Sequence, residues 1–198
     1  MIKKLFKYIY MNINIIKKMK LLDKKYKFSE LTKRFKSNGE FNDVNLSLNV
    51  VYPERLELGS YIYIGPNAFI NALGGVKIKT GTIIGPNLTI HSANHKYKNA
   101  KYIPYDETFE FRKVVIGENV WIGGNVIIAP GSEIGEGCIV GAGTVVSGKI
   151  PKMSIVVGNP CRVIKKRDEK HYFNLKKENM IYLKKKKENN LKPKTAIY

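Results

Sequence analysis

Three histidines, two cysteines and a single tryptophan have the most specific chemistry to offer in this chain of 198 residues. His91 and His95 stand four apart in IHSANHKY, and His171 sits in the lysine-rich end. An imidazole near neutral pH can take a proton from a hydroxyl, and at a loop edge it can equally be an uninvolved surface side chain. No serine or cysteine adjoins His95 in a nucleophile motif, so chemistry there would be direct transfer rather than passage through a covalent enzyme intermediate. Cys138 and Cys161 lie in no C-x-x-C or C-x-x-H setting and read as small packing residues. Three scattered histidines make no zinc set, and no metal is expected. Trp121, in VWIGG, would be an unusual outward aromatic unless something is bound against it.

What holds these residues is a period of six. Ile116, Ile122, Ile128, Ile134, Val140 and Val146 recur without exception, and Gly117, Gly123, Ala129, Gly135 and Gly141 follow the first five. Turn residues fall two and three places after each anchor, as in Glu118-Asn119, Gly124-Asn125 and Pro130-Gly131. A helix would not place apolar residues strictly at i+6, and ordinary strands alternate with period two. A short strand and a bend, repeated, is the remaining solution. Three such faces close a coil of 18 residues, and each coil buries its anchors only against its neighbours, which predicts a parallel β-helix.

The same signal runs earlier through Leu58, Ile64 and Ile70, then through Ile78, Ile84 and Ile90 with the phase shifted by two. Asn71-Ala72-Leu73-Gly74-Gly75 spans the shift and is expected to bulge outward. Between His95 and Val114 the pattern vanishes, and the stretch 96–113, rich in tyrosine and phenylalanine, is expected to leave the prism as an ordered loop. Residues 1–45 read as a basic helical extension, with a second helix capped at Ser29. Residues 46–160 read as the β-helix. Residues 161–198 read as a basic tail, helical from Lys165 to Lys187.

Charge is divided along the chain. The net +19 arises from excesses of +10 over residues 1–39 and +9 over 161–198, while 40–160 is neutral. Affinity for a membrane or polyanion therefore belongs to the ends, not to the body that would hold a site, and nucleic acid is not expected as a partner. The N-terminal MIKKLFKYIYMNINIIKKMK is broken by Lys7, Asn12 and Asn14 and lacks a small-residue cleavage site, so it reads as neither a signal peptide nor a membrane span. A cytoplasmic location is expected, with peripheral contact at the inner membrane face through the basic ends as an extension of that reading.

The segments IGPNLTIHSANHKY, VVIGENVWIGGNVIIAPGSEIGEGCIVGAGTVV and IPKMSIVVGNPCRVIKK together resemble the hexapeptide-repeat acyltransferases, in the branch of maltose, galactoside, capsule and O-antigen O-acetyltransferases. The resemblance covers residues 58–166. It implies a left-handed parallel β-helix, a hand the repeat alone does not supply since right-handed crossovers are the general rule. It also implies acetyl-CoA as co-substrate, a homotrimer with sites between prisms, and a sugar acceptor. His95 matches the family's general base, Trp121 an aromatic wall of the site, and Asn71 an acceptor-contacting asparagine. Gly123, Gly124, Gly141 and Ala142 match positions where backbone meets the pantetheine arm, and Ser147 matches another donor contact. Arg162 and Lys165 match basic residues that meet the coenzyme phosphates. The chain departs from the sugar enzymes at Gly148, where lysine is common, and Lys149 is read as supplying that charge. The resulting expectation is an acetyl-CoA-dependent O-acetyltransferase acting on a surface glycan. Its rivals are an N-acetyltransferase of a nucleotide-linked amino sugar and a non-catalytic scaffold that binds polyanions through its ends.

Overall fold

The computed structural model describes residues 2–192, with side chains from residue 13 onward. The last six residues of the expected tail and the first side chains of the N-terminal extension lie outside the described residues. The chain divides into two compact units, Met1–Arg34 and Phe35–Tyr198. The first is a single helix, α1 (Ile2–Lys33). A separate helix from Ser29 is not formed: the Thr32 hydroxyl donates to the Ser29 carbonyl at 3.0 Å, and the helix runs through both.

The second unit is a parallel β-solenoid of six coils. Its first sheet stacks Ser37–Asn38, Leu56–Leu58, Val76–Ile78, Val114–Ile116, Glu133–Ile134 and Lys149–Ile150. The second stacks Asp43–Val44, Tyr63–Ile64, Ile83–Ile84, Trp121–Ile122, Ile139–Val140 and Ser154–Val157, and the third Asn49–Val51, Phe69–Asn71, Thr89–His91, Ile127–Ile128 and Val145–Val146. Coiling thus begins at Ser37, ahead of the boundary at residue 45 read from the sequence.

The six-residue anchors are the columns of the core. Ile84, Ile122 and Val140 pair in register on the second sheet, as Ile90, Ile128 and Val146 do on the third. All six are buried. Each such side chain contributes roughly 1.5–3 kcal/mol through its removal from water. The third residue after an anchor turns the corner with positive φ: Asn67, Asn87, Asn119 and Asn125 at 53–59°, then Gly131, Gly137 and Gly143 at 69–80°. Asparagine and glycine tolerate this region best, which is why they recur at the position, although Tyr61 and Met153 also adopt it, at φ 55° and 62°, three places after Leu58 and Ile150.

Coil length varies down the stack. Ile78 pairs with Leu58 twenty residues back, Ile116 with Ile134 eighteen residues on, and Ile134 with Ile150 sixteen residues on. The two extra residues of an early coil fall at the corner between third and first sheets, in the Asn71–Gly75 segment. That segment does not bulge outward. Ala72 and Leu73 are buried, because the Leu73 N–H donates to Asn71 Oδ1 at 3.1 Å and the Ala72 N–H to the Val51 carbonyl at 3.0 Å, folding the turn inward.

The C-terminal segment departs from a continuous helix. Arg162–Lys166 forms a strand antiparallel to Ser154–Val157, followed by α2 (Glu169–Lys177) and α3 (Tyr182–Asn189). The strand pairs with the last full-length strand of the second sheet, whose edge would otherwise present unpaired backbone. Asp168 then caps α2, its Oδ1 accepting the His171 N–H at 2.9 Å. The two helices run along the corner between first and second sheets. The Tyr172 hydroxyl accepts from Asn119 at 3.1 Å and donates to Glu136 at 2.9 Å, and burial first and Glu136 second push its acidity to about pKa 12. Lys176 reaches Glu118 at 2.8 Å and also pairs with Glu136.

On the outer face of the first sheet Glu57 receives three lysines, Lys36 and Lys113 at 3.1 Å and Lys77 at 3.2 Å. Hydrogen bonds from Lys113 and then Lys36 outweigh burial and lower its carboxyl from 4.5 to about 2. A depressed folded-state pKa contributes stability above pH 4.5 that is lost as pH falls toward 2. Glu57→Gln should therefore cost about 1 kcal/mol at pH 7, discounted because the lysines are half exposed, and only a small part of that at pH 2, where the folded-state carboxyl is already half protonated. Thermal unfolding of both proteins at the two pH values checks this, and an undiminished difference at pH 2 would show that the carboxylate charge is not its source.

Candidate active site

The corner between the third and first sheets is where the fold leaves its repeat. Ala93–His95 pairs antiparallel with Phe109–Phe111, so the excursion after His91 is a two-stranded arm rather than an irregular loop from residue 96. The alternation in Phe109-Glu110-Phe111 was the signal for this strand, masked by the polar residues around it. Asp106 is buried inside the arm and ties it, with Oδ1 accepting the Thr108 N–H at 2.9 Å and Oδ2 the Lys101 N–H at 3.4 Å. The Thr108 N–H holds its carboxyl below the usual range.

His95 sits at the arm's root in a fixed pose. Its ring stacks on Tyr105 at 3.8 Å and 17°, and meets Phe109 at 4.4 Å. Its Nδ1 is buried without a hydrogen-bond partner among the described residues. The two aromatic contacts hold the ring plane, and a proton-transferring group needs such packing to keep its geometry. Neither contact was apparent from sequence.

The inward turn at 71–75 forms the other wall. Ser92 locks it to the arm: Gly74 N–H donates to Ser92 Oγ at 2.9 Å, and that hydroxyl donates to the Asn71 carbonyl at 2.8 Å. A side chain at Gly74 would run into the Ser92 carbonyl, so only glycine allows this approach. Asn71, Leu73, His91, Asn94, His95 and Phe109 consequently surround one pocket of about 360 Å³. Asn71 and His95, 24 residues apart in sequence, are brought together.

Trp121 is elsewhere. It stands on the outer face of the second sheet, 57% exposed, beside a pocket of about 210 Å³ completed by Tyr172, Leu175, Met180, Ile181 and Tyr182. Within one chain it cannot share a site with His95. The participation of α2 and α3 beside Trp121 is also new relative to the sequence, which offered only a helical lysine-rich tail.

The small residues expected along a donor path divide into two kinds. Gly123, Gly124, Gly141 and Ala142 all lie at the corner between second and third sheets, next to a ladder in which Asn67 donates to Asn87 at 3.3 Å and Asn87 to Asn125 at 2.9 Å. A Cβ on Gly123 would lie 2.6 Å from the Ala142 nitrogen, and one on Gly141 would lie 2.7 Å from Val157 Cγ1. These two are small because coils stack on them. Gly124 would meet only Pro86, at 3.3 Å, and Ala142 is exposed, so these two leave the outer surface low. Ser147 is exposed at the corner across the third sheet, and Lys149 lies on the first sheet, paired with Glu133 at 3.2 Å. Arg162 and Lys165 are exposed on the terminal strand. Cys138 is buried, its thiol pushed up by burial, and serves as packing. Among the described residues no cluster of three potential ligands is placed to hold a metal.

Residues 113–148 match the family of bacterial transferase hexapeptide repeats (six repeats). The solved structure of a maltose O-acetyltransferase from Clostridium difficile 630 superimposes with a TM-score of 0.64 at 33% identity, over 70% of this chain and 73% of that one. The chain belongs to the hexapeptide-repeat acetyltransferase family. A galactoside acetyltransferase solved with coenzyme A aligns with a TM-score of 0.64 and 29% identity, over 73% of this chain and 71% of that one. Galactoside O-acetyltransferase of Escherichia coli K12 is 35% identical over 134 residues, 61% of this chain and 63% of the relative. The chain spans less than two thirds of the length of the curated relatives it matches, 62–65%.

Proposed function

We propose that the protein is an acetyl-CoA-dependent O-acetyltransferase acting on a hydroxyl of a surface glycan, with His95 as general base. The observation that carries this is the rigidly stacked imidazole of His95 in a pocket walled by Asn71, at the one corner where the repeat is interrupted. The acceptor hydroxyl gives its proton to His95 as its oxygen attacks the thioester carbonyl carbon. Collapse of the tetrahedral intermediate breaks the carbon–sulfur bond, and the departing thiolate recovers the proton from the imidazolium. Gly124 and Ala142 offer a surface low enough for a thin donor arm, and Arg162 and Lys165, exposed on the strand added to the second sheet, offer cationic contacts to it, while Ser147 and Lys149 stand at another corner and on the first sheet. Family relatives solved with coenzyme A support the donor.

The working assembly is a homotrimer. A single chain carries His95 and Trp121 on different faces, so a complete site needs the Trp121 face of a neighbouring copy, and closed three-fold symmetry supplies it. The preference for a surface glycan as acceptor rests on the basic ends, where α1 also exposes Ile15, Ile16 and Leu22 among its lysines. Among the described residues no helix is long and apolar enough to cross a membrane.

The test is thiol release from acetyl-CoA with a panel of glycans, with light scattering on the assayed sample. Transfer to a hydroxyl yields an ester that alkaline hydroxylamine removes, whereas an N-acetyl amide survives it. A hydroxylamine-stable product would transfer the assignment to an amino-sugar acceptor, and full activity in a monomer would overturn the shared site.

A further inference from the structure

A second cleft of about 230 Å³ adjoins the His95 pocket, with Leu73 as the common wall. Lys36, Arg55, Phe111 and Lys113 line it, over the glycine pair Gly74-Gly75. Four cations are gathered around it, Lys36, Arg55, Lys77 and Lys113, against two carboxylates, Glu54 and Glu57. The lysines converge on Glu57, so their charge is largely directed there. Arg55 is different. Its Nη1 donates to the Leu73 carbonyl, and its guanidinium lies 5.2 Å from the centre of the Phe111 ring and 5.8 Å from that of Tyr52. Among the described residues no carboxylate forms an ion pair with it. It is a charged fork already held in position, with its charge unspent.

The aromatic surface around Arg55 is continuous with the site. Phe109 and Phe111 are two apart on one strand and therefore point to the same side, with His95 against the first and Arg55 against the second. Tyr52, Phe109 and Phe111 are all exposed. An exposed aromatic row of this kind on a polar surface marks a binding site, and its flat faces suit the C–H faces of sugar rings.

We infer that this cleft is a subsite for an acidic sugar residue of the acceptor, with Arg55 binding its carboxylate and Phe111 stacking on its ring. The inference rests on the reading of the His95 pocket as the acceptor site and narrows the acceptor to anionic glycans. Charge matching favours a carboxylate: one unpaired guanidinium meets one negative charge in a planar, two-pronged contact, whereas a phosphate monoester brings nearly two charges.

The test uses matched pairs as acceptors and as binders: galacturonic acid with galactose, glucuronic acid with glucose, and N-acetylneuraminic acid with its carboxyl-reduced alcohol. Binding is measured by calorimetry on the His95→Phe protein and transfer on the unmodified one. At least one acid should be favoured over its neutral partner by about 10- to 100-fold, and Arg55→Gln should erase that ratio without changing the neutral partner's value. Arg55→Lys should recover part of it. Should Arg55→Gln fail to fold for want of its bond to Leu73, Lys113→Gln, which leaves Glu57 two lysines, should still lower the ratio. No acid preferred in any pair, an equal loss for both partners, or preference only for sugar phosphates would overturn the inference. Acid-selective binding without acetyl transfer would instead uphold the subsite and count against the proposed reaction.

Discussion

His95→Phe is expected to lower kcat/KM for acetyl transfer by about 10²- to 10⁴-fold while leaving the melting temperature within a few degrees of the parent. Phenylalanine keeps a flat ring between Tyr105 and Phe109 but carries no nitrogen, so it removes proton transfer and retains the stack. The loss should appear in kcat, with KM for acetyl-CoA unchanged, because no donor contact is altered. His95→Ala removes both features. Each aromatic contact is worth about 0.5–1.5 kcal/mol, so the alanine protein should be less stable than the phenylalanine protein and equally inactive. If the phenylalanine protein turned over within a few-fold of the parent, His95 would be a packing residue of the arm and the base would have to be sought elsewhere.

That experiment concerns a feature only half visible in the sequence. The interruption of the six-residue period located His95 at an edge, because a strict repeat makes any departure conspicuous. What the period could not convey was how the departure folds. The residues that fix His95 come from a strand and loop 10–14 residues downstream, brought back by antiparallel pairing that leaves no six-residue trace. Arg55 was invisible for a similar reason. It lies two coils before the arm, and only stacking of successive coils sets it beside Phe111.

The ends are less legible in the sequence than the body. Lysine-rich composition favours a helix wherever solvent is the only neighbour, yet Arg162–Lys166 is a strand, because the last coil's exposed edge outweighs local preference. The Asn71–Gly75 turn folds inward rather than outward for an equally local reason, a side-chain oxygen of Asn71 that closes it. In each case the tertiary partner lay outside the repeat.

The corner glycines permit the sharpest separation of fold from function. Gly123→Ala should destabilise the protein by about 3 kcal/mol, because its Cβ would be forced to 2.6 Å from the Ala142 nitrogen and backbone cannot yield as a side chain can. In a chain of this size that lowers Tm by about 6–12 °C. Ala142→Trp should do the opposite. Ala142 is exposed, so a large side chain there finds room in water and Tm should hold. It would, however, stand across the low surface that Gly124 and Ala142 keep open, and KM for acetyl-CoA should rise by at least about 10-fold, the effect of losing roughly 1.4 kcal/mol of binding. The acceptor's KM should move far less, since the His95 pocket lies across the third sheet at another corner. An Ala142→Trp protein with the parent's KM for acetyl-CoA would show that the donor does not run along this corner, leaving its four small residues explained by coil packing alone.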